Sequence, residues 1–349
     1  METALKTTKD NMGVTYFVWT LMCIVCMAVM LIFASRKTIV IEDTTQIHAD
    51  SGTEKAAAET ESSLTLRKSF GVEGSFCIPL PKGMRAENVV IENRYLEKEL
   101  CLHLDGDVMD FYENSEISGD ISPVLKGTVQ KQKDGTFVTL KMNQIYEFKS
   151  TLEANSLTIV WYEPREVYQH IVVLDPIYTA EESQMTQETT DDISLRVAKA
   201  VLNKVNDQGV KLYLTRLEHQ GTTNENVLDI LDEVDADFYI RISLARDESQ
   251  ANYGIQGIYN EEYFIPEFGN PELADLLTKE VTLAASNRAL GLEQADAGSI
   301  LKQVIIPAAE IVLGYLSNPK ESYLLQQEDY CEKLAEGIAK ALHEATADR

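Results

Sequence analysis

Residues 171–180 read IVVLDPIYTA. The apolar, β-branched run Ile171–Leu174 delivers Asp175 and Pro176 into a short loop. In α/β proteins, ligands gather where loops leave the carboxyl ends of strands, so Asp175 stands where a site would begin. The loop that follows, Ile177-Tyr178-Thr179-Ala180, carries no His, no Cys and no glycine cradle. Other reactive side chains are sparse. Cys23 and Cys26 form a C-x-x-C pair inside an apolar run with no second pair after it, which reads as membrane packing rather than redox or metal chemistry. Cys77, Cys101 and Cys331 are scattered, and a Cys77–Cys101 bridge is left open. Of the five histidines, His48, His103, His170 and His343 fall away from the Asp175 loop, whereas His219 follows the next strand-like run.

The elements that position Asp175 alternate in type. After the IVVL strand, DDISLRVAKAVLNKVND places Ile193, Val197, Ala200, Val201 and Val205 at helical spacings, with Gly209 as a stop. VKLYLTR reads as a strand and NVLDILDEVDA as a short acidic helix. DFYIRISLA reads as a strand with Tyr239, Arg241 and Ser243 on one face and Ile240, Ile242 and Leu244 on the other. NPELADLLTKEVTLAASNRALG is a long helix with Pro271 suited to its first turn. PAAEIVLGYLSNP runs from strand to turn, and EDYCEKLAEGIAKALHEA closes the chain as an amphipathic helix with Leu334, Ile338 and Leu342 in line. The expectation for residues 168–345 is an α/β layered domain, a largely parallel sheet flanked by helices.

Upstream the texture is that of strands. ELCLHLDG alternates, Asp134-Gly135 sits between two alternating runs as a hairpin signal, and NSLTIVWYEP ends at Pro164. Residues 65–165 are expected to form a small all-β sandwich. Residues 35–64, polar and acidic, read as a flexible linker. Val14–Ala34 holds no charged residue; at ~1.5 Å per residue a helix there spans the roughly 30 Å hydrocarbon core. It reads as an uncleaved transmembrane signal anchor, with residues 1–13 cytoplasmic and the body exported. Lys6 and Lys9 on one side and Arg36 and Lys37 on the other leave the charge rule for orientation undecided. The net charge of −25 argues against nucleic acid or anionic lipid head groups as main partners.

Several of these stretches together carry a resemblance. VVLDP, VKLYLTR, DADFYIRI and PAAEIVLGYLSNPKESYLL followed by YCEKLAEGIAKAL, in that order and spacing, resemble the zinc-dependent N-acetylmuramoyl-L-alanine amidases of bacterial cell walls, the amidase-3 type. The β-region before IVVLDP is similar, more weakly, to the AMIN-like module found upstream of such domains. The resemblance implies hydrolysis of the amide between muramic acid and L-alanine. In that chemistry a zinc held by two His and one Glu activates water, and a second Glu acts as general base.

Carried over position by position, those roles fall on residues that cannot perform them. The first zinc His corresponds to Tyr178, the ligand Glu to Thr190, the second His to Ser243 and the catalytic Glu to Val312. Phenol, hydroxyl and methyl groups make poor zinc ligands. A replacement metal set would draw on His219, Glu188 and Glu310, for which surface charge and loop polarity are the simpler reading. What remains is a groove around Asp175, Tyr178, Glu188, Ser243 and Glu310. The expectation is a membrane-anchored, catalytically degenerate amidase-like protein with no cofactor. Its expected partner is peptidoglycan or a cell-wall enzyme. An amidase with a rearranged metal site and a structural protein of the envelope are the alternatives.

Overall fold

The structure is a computed structural model that describes residues 38–43, 60–69, 73–133, 135–178, 192–205 and 209–347. The expected anchor, residues 14–34, lies outside the described residues, as do Thr190 and Glu188. Among the described residues no helix is long and apolar enough to cross a membrane.

The first half of the chain holds β1 (Ile41–Asp43), β2 (Thr60–Ser63), β3 (Thr65–Lys68), β4 (Ser75–Pro79), β5 (Val89–Arg94), β6 (Glu99–Asp105), the short helix α1 (Met109–Glu113), β7 (Glu116–Gly119), β8 (Val124–Gln132), β9 (Gly135–Met142), β10 (Glu147–Leu152) and β11 (Ser156–Tyr162). They form a six-stranded sheet, ordered β1-β5-β6-β9-β8-β2, and a five-stranded sheet, ordered β10-β11-β4-β7-β3. Alternation explains the layering. Along β9, Val138, Leu140 and Met142 are buried while Phe137, Thr139 and Lys141 face outward. One apolar cluster, including Phe76, Ile78, Leu102, Val138, Leu140 and Ile159, draws on both sheets. β8 and β9 pair antiparallel with Gln132 opposite Gly135, and Asp134 lies outside the described residues. Two strands fall inside the stretch read as a linker. β1 pairs with β5 and β2 with β8, so residues 41–43 and 60–63 are part of this β-domain. Polar composition hid them, because strands at the ends of a sheet need little apolar surface. Cys77 and Cys101 are free thiols in different sheets.

A single turn of helix, α2 (Pro164–Val167), leads into the second domain: β12 (His170–Pro176), α3 (Ile193–Lys204), β13 (Val210–Leu214), α4 (Asn224–Glu233), β14 (Phe238–Ala245), β15 (Ile255–Tyr259), α5 (Asn270–Ala285), β16 (Ala289–Gln294), β17 (Ala308–Tyr315), α6 (Pro319–Leu325) and α7 (Glu328–Ala347). The sheet order is β13-β12-β14-β17-β15-β16. β13, β12, β14 and β17 are parallel, whereas β15 runs antiparallel to β17. The continuous apolar run of β12 is explained by burial on both faces. Val172 and Leu174 join the cluster under α3, α5 and α7, and Ile171 and Val173 join the cluster under α4. The predicted helix through Gly291 ends earlier, at Ala285, with Ser286 in the left-handed region. Ala289–Gln294 then adds to the sheet as edge strand β16. That strand and β15 were not legible as strands, the first because it is almost wholly exposed and lacks an apolar face.

The two domains meet at the free edge of β13. A sheet edge presents unpaired backbone N–H and C=O groups. The hydroxyl of Tyr95, in the β5–β6 turn, accepts from the Leu214 N–H at 3.0 Å and donates to the Leu214 carbonyl at 3.1 Å. Glu147 accepts from Tyr213 at 2.6 Å and pairs with Lys211 at 3.0 Å. Tyr95 and Ile145 belong to the same buried cluster as Tyr213, Val227 and Ile230.

Candidate functional site

The parallel register lays out the site. Asp175 on β12 is the partner of Arg241 on β14, and Arg241 is the partner of Glu310 on β17. Register partners on adjacent parallel strands share a face, so the three side chains stand in a row, negative, positive, negative. Arg241 Nε lies 3.4 Å from Asp175 Oδ2, in ion-pair range but without a hydrogen bond. Arg241 Nη1 donates to Glu310 Oε2 at 3.2 Å. Thr215, just past β13, donates to Asp175 Oδ1 at 2.5 Å, and Tyr239 donates to Oδ2 at 2.6 Å. Ser243 donates to Glu310 Oε1 at 2.6 Å. Asp175 is buried, and each of its oxygens accepts a hydrogen bond from a neighbouring hydroxyl. Burial, reinforced by the charge of Asp175, pushes the Tyr239 phenol well above its ordinary range, so it acts as a fixed donor.

Beside this row sits a second buried network that ties the end of β12 to the start of α3. Arg216 donates to Asp192 Oδ1 at 2.8 Å, to the Pro176 carbonyl at 2.5 Å and to the Ser194 hydroxyl at 3.1 Å. Asp192 in turn caps α3 by accepting from the Leu195 N–H at 3.1 Å. Burial opposes ionisation of Asp192, but the Arg216 hydrogen bonds and charge outweigh it and hold the carboxyl below its usual range. Arg216 also lies 5.5 Å from the centre of the Tyr178 ring.

The structure brings together Asp175, Ser243 and Glu310, and places Val312 beside Ser243 as its register partner. Tyr178 stands by Arg216. His219, the one histidine near the loop, is half exposed and 3.5 Å from Asp192; Glu310 is engaged by Arg241 and Ser243 instead. With Glu188 outside the described residues, the replacement set is not assembled among those that are described. Arg241, Thr215 and Tyr239 were missed as site residues. The available signal was polar side chains recurring on one face of an otherwise apolar strand, Tyr239 and Arg241 with Ser243.

The amidase-3 type implies zinc, and the donors present do not suit it. Tyr178, Ser243 and Val312 offer phenol, hydroxyl and methyl, and both nearby carboxylates already hold a guanidinium. No group of three His, Cys, Asp or Glu side chains among the described residues is placed to hold a metal ion.

The family profile of N-acetylmuramoyl-L-alanine amidase, amidase-3 type, matches residues 172–344. The C-terminal domain of this chain belongs to that family. The germination-specific N-acetylmuramoyl-L-alanine amidase of Bacillus subtilis (strain 168) is 27% identical over 165 residues, covering 43% of this chain and 68% of that protein. Among solved structures, the N-acetylmuramoyl-L-alanine amidase of Clostridium difficile 630 is 20% identical, with a TM-score of 0.47 over 52% of this chain and 98% of that one. The CwlD amidase of Clostridioides difficile, in complex with the GerS lipoprotein, is 21% identical, with a TM-score of 0.42 over 52% of this chain and 100% of that one.

Proposed function

We propose that this chain is a cell-envelope protein whose amidase-like domain binds peptidoglycan, or regulates its hydrolysis, without cutting it. The observation that carries this reading is Arg241. In a domain of a zinc-amidase family, its guanidinium stands between Asp175 and Glu310, in the strand row that also carries Ser243 and Val312. A fixed internal cation satisfies the two carboxylates as a structural network, and no residue of the row is free to act as general base. On this reading the chain is held at the membrane by residues 14–34 with its body outside, and the β-domain is an AMIN-like wall-binding module.

The experiment is sedimentation with purified sacculi, paired with an assay of sacculus hydrolysis by an active amidase in the presence and absence of this protein. Co-sedimentation, or a change in the hydrolysis rate, is the expected result. A protein that stays in the supernatant and leaves the rate unchanged would overturn the reading.

A further inference from the structure

The chain is fixed in the β-domain earlier than its polar composition suggests. Ile39 is buried in the apolar cluster of that domain, and its carbonyl accepts from the Ser150 hydroxyl at 2.5 Å. β1 pairs with β5 from Ile41 onward. A free linker over residues 35–64 would extend to roughly 100 Å at ~3.4 Å per residue. With Ile39 fixed, only Ser35 to Thr38 separate it from Ala34, a reach of roughly 17 Å at full stretch.

Strand direction puts this entry at one end of the domain. β1 runs parallel to β5 with Ile41 opposite Ile91, so the chain before it comes in at the level of Val89, where β5 starts. Leu104, Thr136 and Lys131 share that level through successive strand pairs. The turn joining β8 to β9 and the single helical turn Ala86–Asn88 close the same end, where Asn88 donates to Asp105 at 2.9 Å. β5 runs away from it and delivers Tyr95 to both backbone groups of Leu214. The next residue, Thr215, holds Asp175. One strand thus links the entry of the chain to the amidase-like site. Its six residues span ~20 Å at ~3.3 Å per residue, and the step from Tyr95 to Asp175 adds on the order of 15 Å. The second domain is not free to swing on this strut. Glu147 holds Tyr213 and Lys211, and Arg165 of the connecting turn pairs with Asp235 and Asp237.

Nothing at the entry end opposes contact with lipid head groups. Val40 is 76% exposed there. Lys82, Arg85, Lys131 and Lys133 offset Glu87, Asp105 and Asp107 within a chain of net charge −25. More distant acidic groups are screened beyond the Debye length of about 8 Å. This end therefore neither repels head groups nor binds them strongly, and the length of the tether decides where it sits.

Resting on the reading above that residues 14–34 hold the chain in the membrane, we propose that the β-domain is a pedestal. The end around Val40, Arg85 and Lys133 is kept against the lipid surface by the short tether, and the amidase-like site is confined to within about 50 Å of the bilayer. Its partner is then a molecule of the layer next to the membrane.

The test places the full chain in phosphatidylcholine–phosphatidylglycerol liposomes that contain an acceptor lipid. A donor fluorophore is attached through a non-natural azide side chain in place of Lys133 at the entry end or Gln220 after β13, both exposed. Energy transfer from position 133 is expected to exceed that from position 220. A Gly-Ser insertion of about 20 residues between Lys37 and Thr38 is expected to lower transfer from position 133 about threefold or more. The insertion precedes the first buried residue, Ile39, so the melting temperature stays unchanged. Transfer from position 133 that is no greater than from position 220, or that ignores the insertion, overturns the pedestal. Flotation separates this from the anchor itself. A chain that floats with the liposomes yet gives either of those results sinks the pedestal alone, whereas a chain left at the bottom of the gradient removes the membrane reading and the pedestal with it.

Discussion

Arg241 and Glu310 face each other as register partners on β14 and β17, Nη1 to Oε2 at 3.2 Å, with Asp175 on the far side of the guanidinium. This pairing makes the carboxyl end of the sheet an ionic network of two carboxylates about one guanidinium. Replacing Arg241 by Ala leaves two carboxylates facing each other without their cation. The expected cost is about 3 kcal/mol, in the range for breaking a buried pair from one side. Urea denaturation measures it, and Arg241→Lys is expected to recover part of the loss, since Lys keeps the charge without the planar fork.

Asp192 makes a prediction about acid. Its folded pKa is depressed, so its contribution is complete above the unfolded value of about 3.9 and is lost as pH falls through the folded value. The stability difference between the native chain and Asp192→Asn is therefore expected to be constant at neutral pH and to shrink below about pH 4. Denaturation at a series of pH values checks the sign. Arg216→Ala, which strands the buried carboxylate, is expected to cost about 3–5 kcal/mol at pH 7.

The hydroxyl of Tyr95 is one of the polar ties across the domain interface, at the edge of β13. Tyr95→Phe keeps the ring but removes both hydrogen bonds to Leu214. A loss of about 1–3 kcal/mol is expected, the cost of unsatisfied buried backbone groups. Hydrogen exchange gives the local readout: the Leu214 amide should lose protection while amides of β14 change little.

Gly337 marks a close approach of α7 to α5. A Cβ there would lie 2.5 Å from Val281 Cα and 2.9 Å from the Glu280 carbonyl, both backbone. Alanine in a helix normally gains about 1 kcal/mol over glycine. Here Gly337→Ala is expected to reverse that sign and destabilise by about 1–3 kcal/mol as the helices separate. Thermal unfolding of the single variant decides it.

Much of this was legible in the sequence because burial writes strong patterns. The two-faced apolar run of β12, the helical spacing of Ile193–Val201 and the alternation along β9 each specify their element with little context. β1, β2 and β16 were not legible, since a strand at a sheet edge is defined by its partner's backbone more than by its own side chains. The same holds at the site. Asp175 could be placed from a strand end, and Ser243 and Glu310 only through the family resemblance. Arg241 joins two carboxylates only through a register set by three strands up to about 135 residues apart in the chain, a relation that local spacing does not carry.

The most direct measurement is metal content together with chemistry. The purified chain, incubated with a slight excess of zinc and desalted, is analysed by mass spectrometry and assayed for release of stem peptides from sacculi. The account predicts far less than one zinc per chain and no release above buffer. One zinc per chain with release of stem peptides, abolished by a chelator, would contradict it.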